Sequence, residues 1–324
     1  MKFGVIGEPC VDYIHKGDKV SGKTFGGILY SVVSLAAIAR EVDDIYPIMY
    51  AGYDEYDNII SLISRYKNIK NDLILKCEQK TRVVNLFYRS SDIEMLDTLV
   101  RGLKSPDRDE YWTEPTPPIE FDIVKDVLKR IDALLINMIS GVEITVDTFG
   151  KIRASFNKYI HLDLHNVVMK PDADGKIVPR KVESWKDWTS YPDTLQMNET
   201  EMNIICPEDC NEYKLAEILL TSEQKGSKAL IITRGKSGVT LYRKKEKNLY
   251  GEKYSEIDKT DLPAIEQARF KDSTGCGDVF ATSFFYRTAI NEQKNYEAGL
   301  YFANKIASLK TTLQGVEELH NLRT

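Results

Sequence analysis

Asp272-Ser273-Thr274-Gly275-Cys276-Gly277-Asp278, followed at once by VFATSFFYRTAI at 279–290, is the stretch that decides the fold. The apolar run behind the glycines has helical period, so the two glycines stand at the mouth of a helix. Consecutive backbone N–H groups there are left without carbonyl partners at the positive end of the helix dipole, which makes a cradle for an anion. Phosphate is the natural guest, and Asp278 at the same mouth is placed to take a proton from a hydroxyl that attacks it. A first-turn carboxylate that only satisfies helix N–H groups would carry the same local signature.

Other phosphate-binding patterns fail on spacing. A Walker A loop requires a glycine five positions before Gly235 of Gly235-Lys236-Ser237, and Leu230 stands there. A dinucleotide fingerprint requires a third glycine where Phe280 stands, and it expects an early strand-turn-helix rather than a pair near the end of the chain.

Outward from this motif, short apolar runs alternate with segments of helical period, the pattern of a mostly parallel sheet flanked by helices. Strands are expected at Lys2 to Ile6, Ile45 to Tyr50, Ala133 to Ile139, Tyr159 to Leu164, Thr194 to Met197, Ala229 to Thr233 and Val239 to Tyr242. Helices are expected at Ile28 to Arg40 and Ala298 to Leu309, each with its apolar residues on one stripe. Residues 10–25 read as a polar hairpin, and 76–118 alternate apolar and polar positions before a turn-rich end. Together, near 10–25 and 80–112, they are expected to form a small β lid on a single α/β domain covering 1–324.

Composition narrows the function classes. Hydrophobic residues at 42% and charged residues at 29% of 324 are a globular balance with enough chain for a large core. A net charge of -5 without a basic tract argues against nucleic acid as a partner. No run is long and apolar enough for a membrane span, and MKFGVIGEPC has neither the basic start nor the apolar stretch of a leader. Cys10, Cys77, Cys206, Cys210 and Cys276 are odd in number and scattered, which fits a reducing compartment, and a cytoplasmic location is expected.

The run Asp272 to Asp278 resembles the DTTGAGD signature of the ribokinase-like, or PfkB, carbohydrate kinases, with Ser273 and Cys276 as small-residue variants. Four further stretches agree with that family in order: Gly7 with Asp12, Gly26-Gly27 before an alanine-rich helix, Asn198-Glu199-Thr200-Glu201 as an NxxE motif, and Ile231-Ile232-Thr233-Arg234-Gly235 through Gly238-Val239. The resemblance spans essentially the whole chain.

It implies a ribokinase-like fold, ATP and Mg²⁺ as cofactors, room for a monovalent cation, and a role for each motif. Gly275, Cys276 and Gly277 would offer N–H groups to the γ-phosphate while Asp278 acts as base. Asp12, Gly26, Gly27 and Ser31 would meet sugar hydroxyls. Glu201 with Asn198 would order the water shell of Mg²⁺, which keeps several of its waters. Thr233, Gly235, Gly238 and Asn304 would line the nucleotide site. Taken singly, Asn198 and Glu201 could be a helix cap and its partner, Asn304 an exposed helix residue, and Thr233 a strand filler.

Two departures stand out. Where the family commonly has an asparagine that touches the sugar, this chain has Ser31, and a pattern Asp-x-Asn-x-Arg has become Asp163-Leu164-His165-Asn166-Val167, so the phosphate-side arginine is missing. His161, Asp163 and His165 alternate along an expected strand and would share one face, a spacing compatible with metal ligation or with plain core packing. Cys206 and Cys210 read as unrelated loop thiols, and Trp185 with Trp188 as packing residues.

The reading is an ATP-dependent kinase acting on a primary hydroxyl of a sugar or sugar-like small molecule. A nucleoside kinase and a catalytically silent sugar or nucleotide binder are the alternatives. The alternating segment Thr81 to Tyr88 resembles a lid strand with an apolar face, and lids of this family often pair, which implies a homodimer.

Overall fold

The structure, a computed structural model, describes residues 1–88, 108–206, 210–221, 227–249 and 252–322. The chain opens with β1 (Lys2–Ile6), β2 (Pro9–Lys16), β3 (Lys19–Val20), β4 (Thr24–Gly27), α1 (Ile28–Ile38), β5 (Asp44–Gly52), α2 (Tyr56–Ile63), β6 (Ile74–Cys77) and β7 (Arg82–Tyr88). It continues with β8 (Arg108–Trp112), α3 (Phe121–Leu128), β9 (Ala133–Asn137), α4 (Val146–Ser155), β10 (Tyr159–Asp163), β11 (Met169–Pro171), β12 (Ile177–Pro179), α5 (Trp185–Ser190) and β13 (Thr194–Asn198). The last part holds α6 (Glu199–Ile205), α7 (Glu212–Thr221), β14 (Ala229–Thr233), β15 (Val239–Leu249), β16 (Glu252–Leu262), α8 (Cys276–Ala289) and α9 (Tyr296–Lys310).

Nine strands form one sheet in the order β16-β15-β14-β13-β10-β9-β1-β5-β6. All pairs are parallel except the antiparallel run β14-β15-β16 at one edge. Both faces are covered, and the period-two alternation of each strand decides which residues go where. Leu134, Ile136, Ile160, Leu162, Leu195 and Met197 pack on the face that carries α3 to α7. Ala133, Leu135 and Tyr159 pack on the opposite face, against α1 and α8. By the same alternation Asn137 and Asp163, at the carboxyl ends of β9 and β10, and Gln196, beside Asp163 in the middle of β13, share the α8 face.

A second, smaller sheet has the order β3-β2-β7-β8, with β4 paired to β2. Its β2 leaves the end of β1 almost directly, which hangs the small sheet over the carboxyl edge of the large one. Arg82 of β7 fixes it there. The Arg82 guanidinium lies 3.1 Å from Glu8, both side chains are buried, and it also sits 5.0 Å over the Trp112 ring. Removing one partner of such a buried pair typically costs about 3–5 kcal/mol.

The expected strands and helices are present with shifted ends. β9 stops at Asn137, two residues before Ile139, because the Ile139 N–H turns back to the Asn137 carbonyl at 3.0 Å. β10 stops at Asp163 because Leu164 turns helical, with φ -64 and ψ -40, although its N–H still reaches the Gln196 carbonyl of β13 at 3.0 Å. His165 therefore lies beyond the strand, in a single helical turn, and does not continue the alternation of His161 and Asp163. β15 runs on through Lys244-Lys245 as a solvent-edge hairpin with β16, where charged residues hide the strand pattern. Of the lid segment expected near 80–112, residues 89–107 lie outside the described residues. No helix among the described residues is long and apolar enough to cross a membrane.

Candidate active site

The turn before α8 is built by three local devices. Gly275 is the residue before the helix and has φ 76, a left-handed conformation, and a Cβ there would come 2.3 Å from the Tyr30 ring. Asp272 accepts from the Thr274 N–H at 2.8 Å and from Lys310 Nζ at 2.9 Å. Lys310, fully buried at the end of α9, also donates to the Asp272 carbonyl at 3.2 Å. Burial would raise the Asp272 carboxyl, but the Lys310 charge and the Thr274 N–H hold it below its ordinary value.

Gly277 is different. A Cβ there would meet nothing within 4 Å, so no protein contact demands a glycine, and open space lies in front of the helix mouth. A phosphate-sized guest could use that space at the helix mouth, where the Cys276 N–H is already turned to the Ser273 carbonyl at 3.1 Å. Burial pushes the Cys276 thiol up to about 12, so at neutral pH it is an uncharged side chain and no thiolate competes with an anion.

Asp278 is only 7% exposed, and its Oδ1 accepts from Asn137 Nδ2 at 2.7 Å. The same Nδ2 lies 3.3 Å from Ser31 Oγ, so Ser31 meets Asp278 through an asparagine on β9. Gln196 Nε2 reaches both Asp163 Oδ2 and the Gly277 carbonyl at 3.3 Å, tying β13 to the helix mouth. Ligand-type atoms of Asp163, His165 and Asp278 all lie within 4.8 Å of one another. Burial raises the Asp278 carboxyl, while the charge of His165 and the Asn137 hydrogen bond pull it down. Burial, then the charges of Glu201 and Asp278, push Asp163 well above the usual carboxylate range.

Of the metal reading of His161, Asp163 and His165, this geometry removes His161 and leaves Asp163 and His165 together, with Asp278 beside them. His161 is fully buried, its Nδ1 is 2.7 Å from Thr194 Oγ1, and its ring lies 5.4 Å from that of Phe284. Burial lowers it to about 3, so it is a neutral core residue.

Asn198 caps α6, its Oδ1 accepting from the Glu201 N–H at 2.9 Å while Glu201 Oε2 accepts from the Asn198 N–H at 2.9 Å. The capping role open in the sequence is thus realised by the same two residues as the NxxE motif. Glu201 is buried and pushed up to about 8, by burial first and by the charge of Asp278, against the pull of the Asn198 N–H.

Asp12 on β2 is buried and accepts from Cys10 Sγ at 3.2 Å. A Cβ on Gly26 would lie 2.1 Å from Asp12 Oδ2, so that glycine is what lets β4 pass the carboxylate. Tyr30, which follows Gly26-Gly27, feels Asp272, Asp12 and Asp278 together; burial and then these charges push its phenol well up. Gly26, Gly27, Ser31 and Asp12 thus converge with the α8 mouth around one tyrosine.

The remaining positions lie farther along the same sheet edge. Thr233 ends β14, and Gly235 and Gly238 shape the turn into β15, the latter because a Cβ would strike the Leu262 carbonyl at 2.0 Å. Asn304 Nδ2 donates to the Pro263 carbonyl at 2.9 Å, which ties α9 to the strap leading to Asp272. A cleft of about 590 Å³ lined by Arg234, Ser237, Thr240 and Asp261 adjoins this turn and contains none of the residues around Asp278. Asn137, Tyr30, Gln196 and Lys310 were not among the residues singled out from the sequence. The one signal was Asn137 itself, a polar residue ending the buried run Ala133-Leu134-Leu135-Ile136.

Residues 157–321, which include the α8 mouth, match the family described as pfkB family carbohydrate kinase. The chain belongs to the pfkB family. Over 325 aligned residues this pfkB protein is 25% identical to the ribokinase of Bacillus subtilis (strain 168), covering 97% of this chain and 94% of that one. A pyrophosphate-dependent kinase in the ribokinase family, solved as a sulfate complex, superposes with TM-score 0.71 at 18% identity, covering 98% of this chain and 99% of the other. A putative ribokinase II from E. coli in complex with ATP and Mg²⁺ gives TM-score 0.68 at 18% identity, with 99% and 97% covered. These neighbours share the ribokinase fold with this pfkB chain: a large, mostly parallel sheet flanked by helices and a small sheet above its carboxyl edge.

Proposed function

We propose that this pfkB protein transfers the γ-phosphoryl group of ATP to a primary hydroxyl of a sugar or sugar-like molecule, with Asp278 as general base. The observation that carries the reading is the buried Asp278 held by Asn137 at a helix mouth where Gly277 leaves open space. Asp278 takes the hydroxyl proton as the acceptor oxygen forms its bond to phosphorus and the bond to the leaving ADP oxygen breaks. The N–H groups of Gly275 and Gly277 meet the charge that gathers on the transferring group, while the Cys276 N–H is turned to the Ser273 carbonyl at 3.1 Å. Asp12, Ser31 and the backbone at Gly26-Gly27 hold acceptor hydroxyls, since a carboxylate accepts from two neighbouring hydroxyls at once.

Mg²⁺, when bound, would neutralise charge on the nucleotide phosphates. Asn198 and Glu201 fit that ion as holders of its waters, because Glu201 is a buried carboxylate that a nearby cation would ionise. Thr233, Gly235, Gly238 and Asn304 are assigned to the nucleotide side. The small sheet serves as a lid that excludes water, and the chain works as one folded unit in the cytoplasm.

The test is ADP release measured with ATP and a panel of D-ribose, D-fructose, myo-inositol, a sugar acid and adenosine. Sugar-dependent release supports the reading. Turnover of adenosine alone favours the nucleoside-kinase alternative, and thermal stabilisation without any turnover indicates a silent binder.

A further inference from the structure

His165 is one of two non-glycine residues with a positive φ among the described residues, at 43°. Holding a residue other than glycine there costs on the order of 1 kcal/mol or more, and asparagine or glycine would bear it more easily. The strained turn carries the imidazole into the group it forms with Asp163 and Asp278, all three within 4.8 Å. Asp163 and Asp278 are buried carboxylates within 4.8 Å of one another, an arrangement that favours proton uptake by either. The other cation that acts on Asp278, Lys310, is already paired with Asp272 at 2.9 Å.

We propose that His165 is a positioning residue whose positive charge keeps Asp278 ionised, so that the buried carboxylate can serve as base. This rests on the assignment of Asp278 as base. The direction of the charge effect agrees, since His165 opposes the burial that would otherwise protonate Asp278. In this chain the cation beside the transfer point is thus supplied from position 165, two residues before Val167.

The experiment compares wild type, His165→Asn and His165→Gly, each also in an Asp278→Asn background. It uses ATP and whichever of D-ribose, D-fructose, myo-inositol or adenosine gives wild type its highest rate. Asn and Gly both suit the backbone, so Tm should hold or rise while kcat falls at least about tenfold with KM for both substrates little changed. Added imidazole should restore part of the rate of His165→Gly. In the Asp278→Asn background neither change should reduce the rate further, because the effect runs through Asp278. Full kcat in both single variants, or a loss of rate that follows a fall in Tm, overturns the proposal while leaving the base assignment intact. An Asp278→Asn enzyme with near wild-type kcat, or a wild type that turns over none of the four acceptors, overturns both.

Discussion

Asn137 Nδ2 donates to Asp278 Oδ1 at 2.7 Å, so a side chain at the end of β9 orients a carboxylate in the first turn of a helix 141 residues later in the chain. The hydrogen bond also favours the ionised form of Asp278 against the burial that raises it. Asn137→Ala should therefore lower kcat about tenfold and cost roughly 1–3 kcal/mol of stability, the usual penalty for an unpaired buried group. A base must be ionised, so the acid limb of kcat should lie above the ordinary aspartate range near about 3.9, and Asn137→Ala should move it higher still. A pH–rate profile of both proteins checks the sign; a shift to lower pH would contradict it.

The two glycines of the anion cradle should respond differently. At Gly275 an alanine meets the Tyr30 ring and a positive φ, so Gly275→Ala should reduce both Tm and activity. At Gly277 a Cβ meets nothing within 4 Å, so Gly277→Ala should keep Tm and lose activity by filling the space proposed for phosphate. Thermal melts beside ADP-release rates separate the two, and a fully active Gly277→Ala would remove that space from the mechanism.

Glu201 caps α6 and, in the proposed mechanism, also holds waters of Mg²⁺. It is pushed up to about 8 without a cation, so an ion whose waters it holds must displace its proton, and apparent Mg²⁺ affinity should rise as pH rises toward that value. Glu201→Gln should raise the Mg²⁺ concentration for half-maximal rate and flatten this pH dependence. A lower rate with unchanged Mg²⁺ dependence would leave Glu201 as a cap alone.

The strand expected to pair across a dimer is β7, and its apolar positions divide. Val84 and Leu86 are covered by Cys10, Ile14 and Trp112 of the same chain, whereas Phe87 is 40% exposed and stacks 4.0 Å from His15. A homodimer through the Phe87 face should appear by light scattering at tens of micromolar and be lost in Phe87→Lys; an active monomeric wild type would end the idea.

Sequence alone gave access to what is local. The glycine pair, Asp278 and the Asn198–Glu201 spacing announce themselves because each is a helix-terminus device whose parts lie within a few residues. The partners of those devices come from topology. Asn137, Gln196 and Asp163 meet Asp278 only because β9, β13 and β10 are neighbours in the sheet with their even-spaced residues turned toward α8. Lys310 reaches Asp272 from the far end of α9. The shared face expected for His161, Asp163 and His165 failed at one point, where Leu164 took a helical conformation and ended the strand. The continuation of β15 past Tyr242 and the edge strand β16 were hard to see because solvent allows charge there.

The central claim is tested most directly by Asp278→Asn, a nearly isosteric change that removes the base and leaves the helix N–H groups in place. The account predicts a kcat about 10² to 10⁴ lower, with ATP affinity by calorimetry preserved or improved, since a negative charge beside the phosphates is gone. A variant that keeps more than about a tenth of wild-type kcat when chemistry limits the rate would contradict the assignment of Asp278 as base.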